Sequence, residues 1–267
     1  MPVITIRNLS STLEAVVCAH SKPSNVCRAG RRSHELNTSR TFWVTGAGHG
    51  LGLALVKRLL EQGNRVAASS KGSEAFEALT QQYGHNLLHV PWQVHEQAHA
   101  AAAAEQISQA WGALDGLIIN AGSNDYLATG LAQDDLFQAI VSSNQLALEH
   151  CLDSARPLLA KGDRPQVMAV FSRYSALQLH APTQETAGWN QAPQWLREQR
   201  GALQAEGIDL TVVAPQSPKT PVTPVLALAD EWTAQSAADE LVARLDAREP
   251  ELVLEVLDIA SLWPLPH

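Results

Sequence analysis

No apolar run in this 267-residue sequence approaches the ~20 residues that a membrane-spanning helix needs. Cysteine is scarce: Cys18, Cys27 and Cys151 are the only three, and they lack metal-ligand spacing. An odd number of thiols fits a reducing compartment, so a cytoplasmic protein is expected. Basic charge is also short. The 19 Lys and Arg residues face 27 Asp and Glu, and the net of −8 argues against nucleic acid or an anionic membrane surface as partner. What remains is 45% hydrophobic and 17% charged, an ordinary globular composition, long enough for one domain with a full core.

Residues 1–40 differ from the rest. They hold six basic side chains and two acidic ones, a net of +4, so residues 41–267 carry −12. The stretch is rich in Arg and Ser and has no sustained periodicity, which predicts a flexible N-terminal extension. It lacks the apolar core and small-residue cleavage site of a secretory signal. A transit peptide, a flexible tail and a start codon placed too far upstream stay open.

From residue 41 strand-like and helix-like runs alternate, the pattern of a doubly wound parallel α/β sheet of Rossmann type, in a single domain spanning 41–267. Strands are expected at 41–44, 65–69, 86–92, 114–120, 166–171, 208–214 and 251–257. Helices are expected at 51–60, 74–83, 98–111, 133–159, from about 190 to Gly207, and at 236–246. No internal repeat or low-complexity linker interrupts them.

Between the first strand and first helix lies Thr45-Gly46-Ala47-Gly48-His49-Gly50-Leu51-Gly52. Glycines there let the backbone turn tightly and approach a pyrophosphate, which the N–H groups and positive end of the following helix would hold. A second short motif, Asn120-Ala121-Gly122, ends the fourth strand. Both have a purely structural reading as well: Gly46, Gly50 and Gly52 serve helix–strand packing, and Asn120 ties strands together.

With these two motifs in this order, residues 41–257 resemble the short-chain dehydrogenase/reductase family, whose loop is TGxxxGxG and whose fourth strand ends in NAG. The resemblance implies a nicotinamide dinucleotide held by Thr45, Gly46, His49, Gly50, Leu51, Gly52, Asn120, Ala121 and Gly122. It places Asn144 where the family holds a relay water and Ser172 where it has its catalytic serine. Pro215 and Thr220 keep part of a segment bordering the nicotinamide, although Gln216 replaces its glycine. In the family an acid ending the second strand takes the ribose hydroxyls of NAD. Here the strand ends Ala68-Ser69-Ser70-Lys71, so NADP is expected over NAD, with Lys71 as the cation and His49 as a weaker phosphate partner. No metal site is expected.

The resemblance fails where the chemistry should be. The family uses a tyrosine as general acid/base and a lysine four residues later, which lowers the phenol's pKa from about 10. Those positions fall on Glu185 and Trp189, and Lys161 and Lys219 lie outside the motif. Gly188 and Pro193 also interrupt the helix that should carry the pair, so that helix is expected to begin at an Asn190 cap. Gln93 replaces an aspartate near the adenine, and the short segment 222–233 leaves a reduced substrate lid. The expected function is therefore a dinucleotide-binding protein with a degenerate catalytic site, acting as a binding, regulatory or partner subunit. The alternative is an active NADP-dependent oxidoreductase whose acid is Tyr174 or Glu185, with His180 also near in sequence. The two long helices, 133–159 and 190–206, are the expected surface for a homo- or hetero-oligomer.

Overall fold

Thr41–Val44 (β1) is buried along its whole length, as a central strand covered on both faces must be. The computed structural model describes residues 39–121, 133–171, 192–214 and 233–253. The expected extension (but for its last two residues), segment 222–232 and the end of the seventh strand lie outside them.

The remaining strands are Arg65–Ser69 (β2), Leu87–Val90 (β3), Gly116–Ala121 (β4), Gln166–Phe171 (β5), Asp209–Ala214 (β6) and Glu251–Val253 (β7). All pair in parallel in the order β3-β2-β1-β4-β5-β6-β7, so the doubly wound sheet is present as read. Strand order reverses between β1 and β4. In open sheets of this kind, ligands bind outside the carboxyl ends of the strands at that reversal.

Helices Gly50–Glu61 (α1), Glu74–Tyr83 (α2) and Ala234–Arg244 (α6) share one face of the sheet through a core that includes Phe42, Leu55, Phe76 and Leu241. On the opposite face lie Gln97–Trp111 (α3), Gln133–Leu159 (α4) and Ala192–Ala205 (α5), around Trp43, Ile107, Leu148, Leu152 and Leu196. Ala100, Ala103 and Ala104 are buried on α3, so small side chains are what bring it close to α4. Each fully buried Leu, Ile or Phe contributes about 1.5–3 kcal/mol relative to exposure. None of the helices among the described residues is long and apolar enough to cross a membrane.

Several boundaries move from the sequence reading, each for a local reason. β3 begins at Leu87 because a 3₁₀ turn takes Gly84–Asn86, and it stops at Val90 because Pro91 has no N–H for the ladder. β4 starts at Gly116, since the Leu114 and Asp115 amides instead donate to the carbonyls of Leu158 and Thr41. The last helix starts two residues early, at Ala234, under a reciprocal cap in which Thr233 and Ser236 each accept the other's amide. Pro193 is buried in the first turn of α5, a position where its missing N–H costs nothing; the Asn190 cap lies outside the described residues.

Candidate functional site

The glycine-rich loop crosses the carboxyl end of β1 at the strand-order reversal and is fastened on three sides. The Thr45 amide donates to the Ile118 carbonyl at 3.0 Å, and the Thr45 hydroxyl accepts the Asn120 amide at 3.2 Å. The Asn120 side-chain Nδ2 donates to the Gly46 carbonyl at 3.3 Å. On the other side the Ala47 amide donates to the Ser69 carbonyl at 3.0 Å, which links β1 to the end of β2. The third tie is Ser73: its hydroxyl donates to the Gly48 carbonyl at 3.0 Å and accepts the Phe76 amide at 3.1 Å.

Glycine is required here on geometric grounds. Gly46 and Gly50 have φ of 59° and 53°, the left-handed region that side chains disfavour. At Gly52 a Cβ would sit 2.0 Å from the Gly46 carbonyl oxygen, inside any real contact, so α1 can lie against the loop only if this residue is glycine.

Two helix starts meet this loop, and they are built differently. α2 is internally satisfied: Ser73 caps it, and Glu74 and Glu77 lie in its first turn against the positive helix end. α1 has no acid in its first turn, and the His49 side chain does not cap it. Among the described residues its first turn therefore carries no anion of its own, and a helix start of this kind can bind one.

A second feature of the cleft lacks a partner. Asn120 is 3% exposed, and its Oδ1 accepts no hydrogen bond among the described residues. The amide cannot simply be turned over, because that would set Oδ1 against the Gly46 carbonyl. A buried acceptor left unmet costs about 1–3 kcal/mol. A donor is therefore called for, and the ribose hydroxyls or adenine amino group of a dinucleotide are of that kind. On this ground the residues present fit a nicotinamide dinucleotide: α1 amides for the pyrophosphate, Asn120 for a donor on the adenosine side.

At the outer edge of the cleft, Lys71 follows β2 and is exposed. Its ammonium lies 5.2 Å from the centre of the Trp92 ring. Ser70 is fully buried, and its hydroxyl accepts the Gly72 amide at 2.9 Å, fixing the turn that presents Lys71. Asn144 is buried on α4, in the layer that covers β4. No cluster of three or more His, Cys, Asp or Glu among the described residues could hold a metal.

The structure thus brings Thr45, Gly46, Gly50, Gly52 and Asn120 into one constellation, with His49 and Leu51 in the same turn and Lys71 at the rim. Ala121 closes β4, paired with Phe171. Gly122, Ser172, Tyr174, His180, Glu185, Trp189, Pro215 and Thr220 lie outside the described residues. Two contributors escaped the sequence reading. Ser73 carries the ordinary signature of a helix cap, but nothing local reveals its second bond to the glycine loop. Trp92 emerges only once β2 and β3 are paired.

Comparison with known proteins agrees with this geometry. Residues 40–230 match the family model described as short chain dehydrogenase. A segment of 91 residues is 37% identical to the 3-phenylpropionate-dihydrodiol/cinnamic acid-dihydrodiol dehydrogenase of Escherichia coli, covering 34% of each chain. The matched segment thus spans about a third of the length of these curated relatives. Among solved structures, a short-chain dehydrogenase from Streptomyces avermitilis superposes with a TM-score of 0.64 at 16% identity, over 81% of this chain and 89% of that one. The RhlG/NADP active-site complex of Pseudomonas aeruginosa gives a TM-score of 0.53 at 21% identity, over 67% and 73% of the two chains. At such identities the structural likeness speaks for the fold, while the family match extends over most of the sequence. The chain belongs to the short-chain dehydrogenase family.

Proposed function

We propose that this protein binds a nicotinamide dinucleotide, NADP(H) in preference to NAD(H), and serves as a binding, regulatory or partner subunit rather than as a standard hydride-transfer enzyme. The observation that carries the binding half is the contrast between the two helix starts. The first turn of α1 carries no acid and no side-chain cap, whereas α2, which begins after the intervening β2, is capped and acid-flanked. The orphaned Asn120 Oδ1 supports the same cleft from its other wall. Lys71 supplies a cation where NAD-preferring relatives of this fold place an acid.

The non-catalytic half rests on residue chemistry. A bound nicotinamide supplies or accepts a hydride, but a proton must also move, and the family's phenol and ammonium positions are Glu185 and Trp189. An indole cannot supply the cationic grip of a lysine, and a carboxyl of ordinary pKa, about 4.3, is ionised at neutral pH. The chain's own residues then hold and orient the dinucleotide without a proton relay. α4 and α5 are the surfaces through which an assembly would form.

Calorimetric titration with NADPH and NADH tests the binding. Tighter NADPH binding, abolished in Gly50→Arg, is expected; no binding of either at millimolar concentration would refute it. A second reading is favoured by the curated relatives, which are named dehydrogenases: an active oxidoreductase whose acid is Tyr174 or Glu185. Turnover of dihydrodiols, secondary alcohols or carbonyls at the nicotinamide absorbance band, lost in Ser172→Ala and in Tyr174→Phe or Glu185→Gln, would replace the first reading with the second.

A further inference from the structure

The parallel register of β2 and β3 sets Ser69 opposite Val90. Continuing both chains by two residues brings Lys71 beside Trp92, and the ammonium lies 5.2 Å from the indole centre. Trp92 is half-buried and packs against the core on the α3–α4 face, so the ring is held from behind and offers its free side to the cation. The obvious competitor is Glu74, three residues after Lys71 at the start of α2, with Glu77 a turn further on. Among the described residues Lys71 forms no ion pair with either, and its ammonium lies at the Trp92 ring instead. A flexible four-carbon stem beside two carboxylates would ordinarily fall to them, and a paired lysine is a poor phosphate ligand.

We propose that Trp92 is a positioning residue for dinucleotide selection: its indole holds the Lys71 ammonium clear of Glu74, at the cleft rim, where it is presented to the additional phosphate of NADP(H). This rests on the dinucleotide reading above and assigns it a second determinant. A cation over an indole face is stabilised electrostatically by the ring, less so over a phenyl ring and not over an aliphatic side chain. The indole therefore sets where the charge waits, while Lys71 makes the contact. It acts on the preference between the two dinucleotides and has no part in gripping their common pyrophosphate.

The test combines two readouts. Reductive ¹³C-methylation of the lysines, which keeps their charge, gives each an NMR signal. The Lys71 signal, identified by its loss in Lys71→Arg, is expected upfield through the indole ring current and back at the ordinary position in Trp92→Leu. Calorimetry then gives the ratio of NADPH to NADH affinity. Trp92→Leu is expected to lower that ratio about two- to fivefold, the range of an exposed cation–ring contact. Trp92→Phe should keep most of it, and adding Glu74→Gln to Trp92→Leu should restore it. A ring stacked on adenine or merely propping the core would weaken both dinucleotides together and would not respond to Glu74; that result overturns the proposal. So does a Lys71 signal without a ring-current shift in a protein that binds both dinucleotides, leaving the dinucleotide reading standing. Failure of the parent protein to bind either, with the ring shift present, refutes the dinucleotide reading and removes the selective role with it.

Discussion

A single methyl group at Gly52 distinguishes a loop built by contact from one that is glycine-rich by composition. In Gly52→Ala the new Cβ would stand 2.0 Å from the Gly46 oxygen, 2.8 Å from its carbonyl carbon and 3.1 Å from the Ala47 Cα. All three are backbone atoms, so no side chain can rotate away. Relief to the 3.4 Å of ordinary contact requires α1 and the loop to part by 1.4 Å. That displacement is larger than the tolerance of the Asn120–Gly46 hydrogen bond, already 3.3 Å long. Overpacking of this kind costs about 1–3 kcal/mol. In a domain of this size each kcal/mol moves the melting temperature by about 2–4 °C, so a fall of roughly 2–12 °C is expected. Dinucleotide affinity should fall further, because the α1 amides retreat with the helix. The control is the same substitution at Gly201, on α5, where nothing lies within 4 Å of the added methyl. There the helix gains about 0.5–1 kcal/mol, and the melting temperature should rise by roughly 1–4 °C. Scanning calorimetry of both variants decides. A Gly52→Ala protein as stable as its parent, still binding dinucleotide, would refute the close-contact account of the loop.

Other expectations follow from single contacts. Asn120→Ala removes the Nδ2 bond to Gly46 and the unmet Oδ1 together, so the two terms offset: stability should change by about 1 kcal/mol or less while dinucleotide affinity falls, by chemical denaturation and calorimetry. Burial holds His95 below the ordinary histidine value of 6.5, with Glu96 opposing and His99 and His150 adding to the depression. Below 6.5 the unfolded chain takes a proton that the folded one declines, so stability falls as pH drops from 6.5 toward the folded His95 value. His95→Gln should flatten that slope in melting curves across the window; an unchanged slope would reject the assignment. Glu251 accepts from Arg197 Nε and Nη2 and from Arg200 Nη2, at 3.0, 3.1 and 2.8 Å. Glu251→Ala removes the acceptor of Arg197, while Arg200 keeps its bond to the Pro250 carbonyl, and should cost about 1–3 kcal/mol in urea denaturation. Cys151 is fully buried, and burial raises its thiol far above the usual range. Site-resolved mass spectrometry should find it unlabelled by iodoacetamide until denaturant is added.

Much of the architecture was legible in the residues alone. Apolar runs such as 41–44 and 166–171 are continuous because both faces of a parallel sheet are covered, so strand identity needed no knowledge of neighbours. The α4 helix was read through Pro157, which lies in its last turn and so removes only one bond near an end. Boundaries were harder wherever a competing local bond won, as at the 3₁₀ turn before β3 and the reciprocal cap before α6. The glycine loop and Asn120 were recognisable by spacing, since a tight turn at a strand–helix junction leaves few residue choices.

Residue order alone determined that this chain folds as alternating strands and helices and carries a glycine-rich loop after its first strand. Only tertiary structure decided which loop atoms touch. That Gly52 must be glycine, that Ser73 braces Gly48, that Asn120 keeps a buried oxygen unmet among the described residues and that Trp92 lies beside Lys71 all depend on strands distant in sequence being laid side by side. Periodicity records which side of an element is covered; it holds no information about which partner covers it, because that is fixed by sheet order and register.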